Sequence, residues 1–143
     1  MHPVSTLTLP DALVGFVIDP AERLALVHMQ GVITGADMLA IAEAVHDHPS
    51  WENGMDAIWD CTRVTAHVVS PEEVPPIILE EAESGSGRDL LVESEALGET
   101  EISRMLAAWC RRAGKHSRVY ASLDDALKAL GRERLPESLE GFE

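Results

Sequence analysis

Apolar residues enter this chain as short runs, each closed by turn formers or followed by a stretch of helical spacing. Val14-Gly15-Phe16-Val17-Ile18 is one such run, Asp19-Pro20-Ala21-Glu22 is a turn signal, and Leu24-Ala25-Leu26-Val27-His28-Met29 is a second run. The pattern predicts an antiparallel hairpin whose second strand ends at Gly31. Thr34-Gly35-Ala36-Asp37 has the form of a capping box with Asp in the usual Glu position. Met38, Ile41, Ala42 and Val45 then recur on one helical face, with Asp37, Glu43 and Asp47 left wettable and Pro49 closing the helix.

Met55-Asp56-Ala57-Ile58-Trp59 is too short for a helix and is bounded by Asn53-Gly54 and Asp60, so it predicts a strand. Ser70-Pro71-Glu72-Glu73 supplies the cap, proline and carboxylate of a helix start, and Pro75-Pro76 predicts a kink or restart before the helix reaches Glu83. Beyond the flexible Ser84-Gly85-Ser86-Gly87, Leu90-Leu91-Val92 reads as a strand covered on both faces. Ile102, Met105, Leu106, Trp109 and Ala113 predict a long helix with Gly114 past its end. Arg118 to Ala121 is the last strand, and Ser122-Leu123-Asp124-Asp125 caps a final helix through Leu130, closed by Gly131. Strands separated by helices of this length imply right-handed crossovers and a mostly parallel sheet. The expected architecture is α/β: a mixed five-stranded sheet with an antiparallel first edge strand and four strand-helix units. It forms one domain over residues 14–131, between an N-terminal extension (1–13) and an acidic tail (132–143).

The length of 143 residues fits one domain, and 45% hydrophobic with 25% charged residues is too apolar for wholesale disorder. A net charge of -14 repels phosphate backbones and anionic membrane surfaces, and aromatics at 4% leave few stacking platforms, which argues against nucleic-acid binding. The start lacks the pattern of a secretory signal and no apolar run is long enough to span a bilayer, so a cytoplasmic protein is expected. Cys61 and Cys110 have no metal spacing and are expected as thiols.

The order of elements, hairpin first, resembles that of STAS domains, the family of the anti-sigma-factor antagonist SpoIIAA. Ile18-Asp19-Pro20 with Arg23-Leu24, Gly31-Val32-Ile33-Thr34, Ala57-Ile58-Trp59-Asp60 and Val119 through Leu127 are together similar to the small bacterial SpoIIAA-like proteins, over roughly residues 14–130. The resemblance implies a fold related to STAS domains and to SEC14-type lipid carriers. It also implies a phosphorylatable serine after the aspartate that follows the third strand. Here that place reads Asp60-Cys61-Thr62-Arg63, so Cys61 replaces the serine and Thr62 becomes the candidate phosphorylation site.

In a parallel sheet the strand carboxyl ends share one rim, which would gather Thr34, Asp60, Cys61, Thr62, Arg63, Ser94 and Ser122 as a partner or ligand surface. The alternative is local: Thr34 and Ser122 as helix caps, Asp60 in a turn, and Cys61 and Cys110 as packed thiols. His46 and His48 lie two apart on a helix and do not face each other, so no metal site is expected. Residues 72–101 hold ten acids and one base, whereas Arg104, Arg111, Arg112, Lys115 and Arg118 follow without an acid among them. Arg104, Arg111 and Lys115 share a helix side, which is either a solvated face or a strip that docks an acidic partner, a second copy included. With no nucleophile-base motif, metal cluster or phosphate loop, the expectation is a non-catalytic regulatory or protein-interaction domain without a cofactor, forming a weak homodimer. The alternative is a carrier of a small apolar ligand, whose sign would be an internal pocket.

Overall fold

The computed structural model describes residues 3–83, 87–93, 101–112, 114 and 116–132. The sheet is mixed, as expected, but has six strands among the described residues rather than five. Ser5–Thr8 (β1) lies antiparallel along Ala12–Asp19 (β2), with Ser5 opposite Phe16 and Thr8 opposite Leu13. A Ser-Thr-Leu-Thr segment carries one apolar residue, Leu7, which packs on the core. Edge strands bury only one side, so their sequence pattern is weak.

β2 pairs with Leu24–Thr34 (β3) as the predicted hairpin, Asp19 opposite Leu24. Its turn is closed by Arg23 in the left-handed region at φ 52° and by the Glu22 backbone N–H donating to Asp19 Oδ1 at 3.2 Å. Gly31 does not end β3. The strand continues through it to Thr34, with shifts in its pairing to the next strand on both sides of Gly31. Such bulges bend a strand without ending it. Gly35–His46 (α1) then starts as the capping box requires: Thr34 Oγ1 accepts from Asp37 N–H at 3.1 Å, and Asp37 Oδ2 accepts from Thr34 N–H at 3.0 Å.

Asp56–Val68 (β4) is the largest departure from the sequence pattern, thirteen residues where a strand ending at Trp59 is expected. Its second half, Thr62-Arg63-Val64-Thr65-Ala66-His67-Val68, is polar but rich in β-branched residues, and the β3 edge beside it supplies ladder partners as far as Thr34 opposite Val68. A 3-10 turn, Pro71–Glu73, leads into Val74–Glu83 (α2). Pro75 and Pro76 therefore sit in the first helical turn, where a missing N–H breaks no intrahelical bond. Arg88–Val92 (β5), Glu101–Arg112 (α3), His116–Tyr120 (β6) and Leu123–Ala129 (α4) complete the order.

Strands lie in the sheet in chain order, the first two pairings antiparallel and β3 to β6 parallel. One face, with Phe16, Val27, Trp59, Cys61 and Leu91, packs on Ile41 and Val45 of α1, Ile77 of α2 and Trp109 of α3. The other face, with Leu24, Leu26, Ile58, Leu90 and Val92, packs on Ala126 and Leu127 of α4. Each fully buried aliphatic side chain contributes roughly 1.5–3 kcal/mol. On α3, Trp109 is buried as expected, together with Ala107, whereas Met105 is 40% exposed. The side chains of Ile102 and Leu106, and Ala113 as a whole, lie outside the described residues.

Candidate functional site

The expected rim is stepped rather than continuous. Asp60 is opposite His28 on β3 and Val92 on β5, and Val92 is opposite Tyr120 on β6. Asp60 is thus level with the carboxyl ends of β5 and β6 but six residues short of the level of Thr34. At the ~3.3 Å rise of a parallel strand that is about 20 Å. Asp60, Cys61, Thr62 and Arg63 lie in the interior of β4, not in a loop after it, because the strand overhangs β5. Thr34 and Ser122 both cap helices, Ser122 Oγ accepting from Asp125 N–H at 3.1 Å. Thr62 and Arg63 are exposed. Ser94 lies outside the described residues.

Asp60 anchors a polar group on the α4 face. His28 Nδ1 donates to its Oδ2 at 2.8 Å, and the hydroxyl and backbone N–H of Thr62 donate to its Oδ1 at 2.7 and 3.0 Å. Burial pushes the carboxyl up, but the bonds from His28 and Thr62 outweigh it and hold the pKa below the ordinary 3.8. The folded state thus prefers the carboxylate, and its stabilisation is complete above the unfolded pKa and lost as pH falls through the lower folded value. Asp60→Asn should destabilise the protein by about 1.5 kcal/mol at neutral pH, the scale of a hydrogen bond to a charged group. Urea unfolding of both proteins should converge below pH 4; a constant gap down to pH 2 would contradict this account.

Consecutive strand residues point to opposite faces, so Cys61 leaves this group and enters the helix-covered side. Burial, then the charges of Glu93 and Asp60, raises its thiol far above the usual cysteine range, which leaves it protonated and a poor nucleophile. Arg104 and Arg111 are exposed on α3, and Arg111 Nη1 donates to the Ser117 carbonyl at 3.0 Å. Lys115, the third member of the expected strip, lies outside the described residues. The histidines separate as expected: His46 Nδ1 donates to Glu80 Oε2 at 2.7 Å, while His48 Nδ1 accepts from Ser50 N–H at 3.1 Å.

The arrangement that residue-by-residue reading missed is a cavity between β3–β5 and helices α1, α2 and α3. Met29, Ile33, Met38, Ile41, Ala42, Trp59, Ile77, Leu91 and Trp109 line it, and Cys61, His67, Glu81 and Cys110 supply its few polar atoms. Its atom-free space is about 590 Å³, partly open to solvent, of which the centre of a water-sized sphere can occupy about 60 Å³. One water needs roughly 10–15 Å³ by the latter measure, so several ligand atoms fit. Burial lowers the pKa of His67, which favours the neutral imidazole facing this space. The signal in the sequence is Glu81, four residues after Ile77 and so on the buried stripe of α2, where a carboxylate has no reason to lie in a simple core. Trp59 and Trp109 are the other signal, two of the three tryptophans of an aromatic-poor chain.

No family model matches the chain, and no curated protein matches it. Among solved structures, it resembles an uncharacterized protein of the DUF3478 family from Shewanella loihica PV-4 that has a SpoIIAA-like fold. The likeness has a TM-score of 0.50 at 13% identity, over 91% of this chain and 95% of that one. No helix among the described residues is long and apolar enough to cross a membrane. The mixed sheet, the hairpin-first order and this structural likeness together show that the chain has a SpoIIAA-like fold.

Proposed function

We propose that this chain is a non-catalytic SpoIIAA-like binding domain that takes a small apolar molecule between its sheet and helices α1, α2 and α3. The cavity carries the reading: nine of its thirteen lining side chains are apolar or aromatic residues other than cysteine, and the polar ones are confined to His67, Glu81 and the two thiols. An apolar wall with a few fixed polar groups is the usual composition of a small-molecule pocket. The raised pKa of Cys61 supports the non-catalytic part, since it removes the thiol nearest the expected functional motif from nucleophilic chemistry. The relation of the SpoIIAA-like fold to SEC14-type carriers, which the resemblance implies, points the same way by analogy.

Trp59 and Trp109 line the cavity, whereas Trp51 lies against His46 outside its lining. Titration with decanol should therefore give a saturable change in tryptophan emission and a rise in melting temperature that grows with decanol concentration. Emission and melting temperature both unchanged up to the solubility limit would refute the reading.

A regulatory, protein-docking role is the second reading. It is favoured by β4 overhanging β5, which leaves Thr62 and Arg63 exposed on a stretch that pairs only with β3 among the described residues. An acidic protein or a second copy of the chain is the partner this reading takes, with Arg104 and Arg111 exposed on α3 for charge steering.

A further inference from the structure

Beside the part of the cavity wall that Glu81 and Cys110 form, three elements converge. Glu81 on α2, Asp89 on β5 and Cys110 on α3 each bring one donor atom to within 4.8 Å of the others. Glu81 is 6% and Asp89 1% exposed, and Cys110 is half-buried. Trp59 Nε1 donates to Asp89 Oδ1 at 2.8 Å, which fixes the orientation of that carboxylate. Such a contact behind a ligand residue is a common support of metal sites.

A second observation lies on β6. Ser117 is directly opposite Asp89 in the parallel pair, so both side chains leave the same face of the sheet. It is 3% exposed, and its hydroxyl meets neither solvent nor a hydrogen-bond partner among the described residues. Buried hydroxyls are nearly always bonded, so this oxygen beside Asp89 has spare capacity for a ligand. Arg111, a neighbouring basic group, is directed to the Ser117 carbonyl rather than to its hydroxyl.

We propose that Glu81, Asp89 and Cys110 bind a divalent cation of the zinc class, with Ser117 Oγ as the adjacent oxygen able to complete its shell. The donor set selects the ion. Calcium takes six to eight oxygens and magnesium a near-octahedral oxygen shell, neither of which uses a thiolate. Zinc and its analogue cobalt accept sulfur and carboxylate oxygen together at four-coordinate sites. Cys110 binds as the thiolate, so its S–H proton is released to solvent when the metal–sulfur bond forms. The ion would tie α2, β5 and α3 together at the end of the cavity that Glu81 and Cys110 line. It does not depend on an apolar ligand being present.

The test uses the full chain, stripped of metal with a chelator and kept reduced, titrated with Co²⁺. A saturable thiolate-to-cobalt charge-transfer band with one ion per chain is expected, accompanied by tetrahedral cobalt absorption and reversed by Zn²⁺. Cys110→Ser should abolish the charge-transfer band, while Cys61→Ser should retain it. Glu81→Gln and Asp89→Asn should each weaken binding at least tenfold. No saturable band, a band surviving Cys110→Ser, or a band lost in Cys61→Ser instead would overturn the proposal. Cys110→Ser is a near-isosteric change at a half-buried position, so circular dichroism can verify its fold even where the buried Asp89→Asn fails to fold. Decanol binding by metal-free protein is read separately through Trp59 and Trp109, so failure of either site leaves a distinct result.

Discussion

Filling the cavity from Ala42 should lower the affinity for an apolar ligand at least 100-fold while leaving the protein folded. Ala42 is 3% exposed and lies on the buried face of α1, one turn beyond Met38, with its methyl on the cavity wall. In Ala42→Phe the added ring takes the space a ligand's carbons would occupy, and each CH₂ displaced from an apolar site forfeits about 0.8 kcal/mol. Displacing four such groups gives about 3 kcal/mol, and 100-fold corresponds to about 2.7 kcal/mol. Overpacking costs roughly 1–3 kcal/mol when the recipient space is already full. Here the ring enters a cavity rather than a filled core, so stability should fall by less than that. The measurement is decanol titration by tryptophan emission together with thermal unfolding. Ala42→Val, which adds only two carbons, should give an intermediate loss. Unchanged affinity in a folded Ala42→Phe would place the ligand elsewhere.

The sequence made the order of elements legible because that order rests on local chemistry. The Asp19-Pro20 turn, the Thr34 and Ser122 caps and the glycines at 114 and 131 each act within a few residues, and each appears where it was expected. What was hidden depends on neighbours across the sheet. Asp60 reads as a strand terminator until His28, thirty-two residues away, is placed opposite it and donates to its carboxylate. β4 continues past it to Val68 along the β3 edge, which divides the expected rim. Gly31 likewise reads as a stop, although the strand bends through it. The cavity was hidden for a different reason. Met29, Ile33, Met38, Ile41 and Leu91 have the spacing of core residues whether or not they meet, and a void between them leaves no mark on periodicity. The caps at Thr34 and Ser122 were legible as caps, and that local reading is the one their hydrogen bonds support.

The strongest effect on stability is expected at Gly31, where β3 turns from the hairpin toward the cavity. Gly31 has φ +96°, and a Cβ built there would lie 2.4 Å from the Asp11 carbonyl oxygen and 3.1 Å from Ala12 Cα. Neither atom is the end of a flexible side chain. The Asp11 carbonyl is itself held by the Val32 N–H at 2.9 Å, and Ala12 is paired opposite Gly31 in the ladder. Relief of the clash therefore requires the β2–β3 edge to open or the bulge to move, and moving it shifts Ile33 at the cavity wall and the Thr34 cap of α1. Strain at a left-handed non-glycine residue is about 1–3 kcal/mol, and backbone displacement in a packed region adds a similar amount. Gly31→Ala should thus lose about 2–5 kcal/mol, a large share of the roughly 5–15 kcal/mol that holds a domain together. Gly114 provides the control. It has φ +88° but no atom of the described residues within 4 Å of the added carbon, so Gly114→Ala bears the conformational strain alone and should lose only about 1 kcal/mol. Urea midpoints at matched m-values compare the two directly. Equal losses would show that Gly31 is retained for its dihedral angle only, and that the close approach of Asp11 relaxes freely.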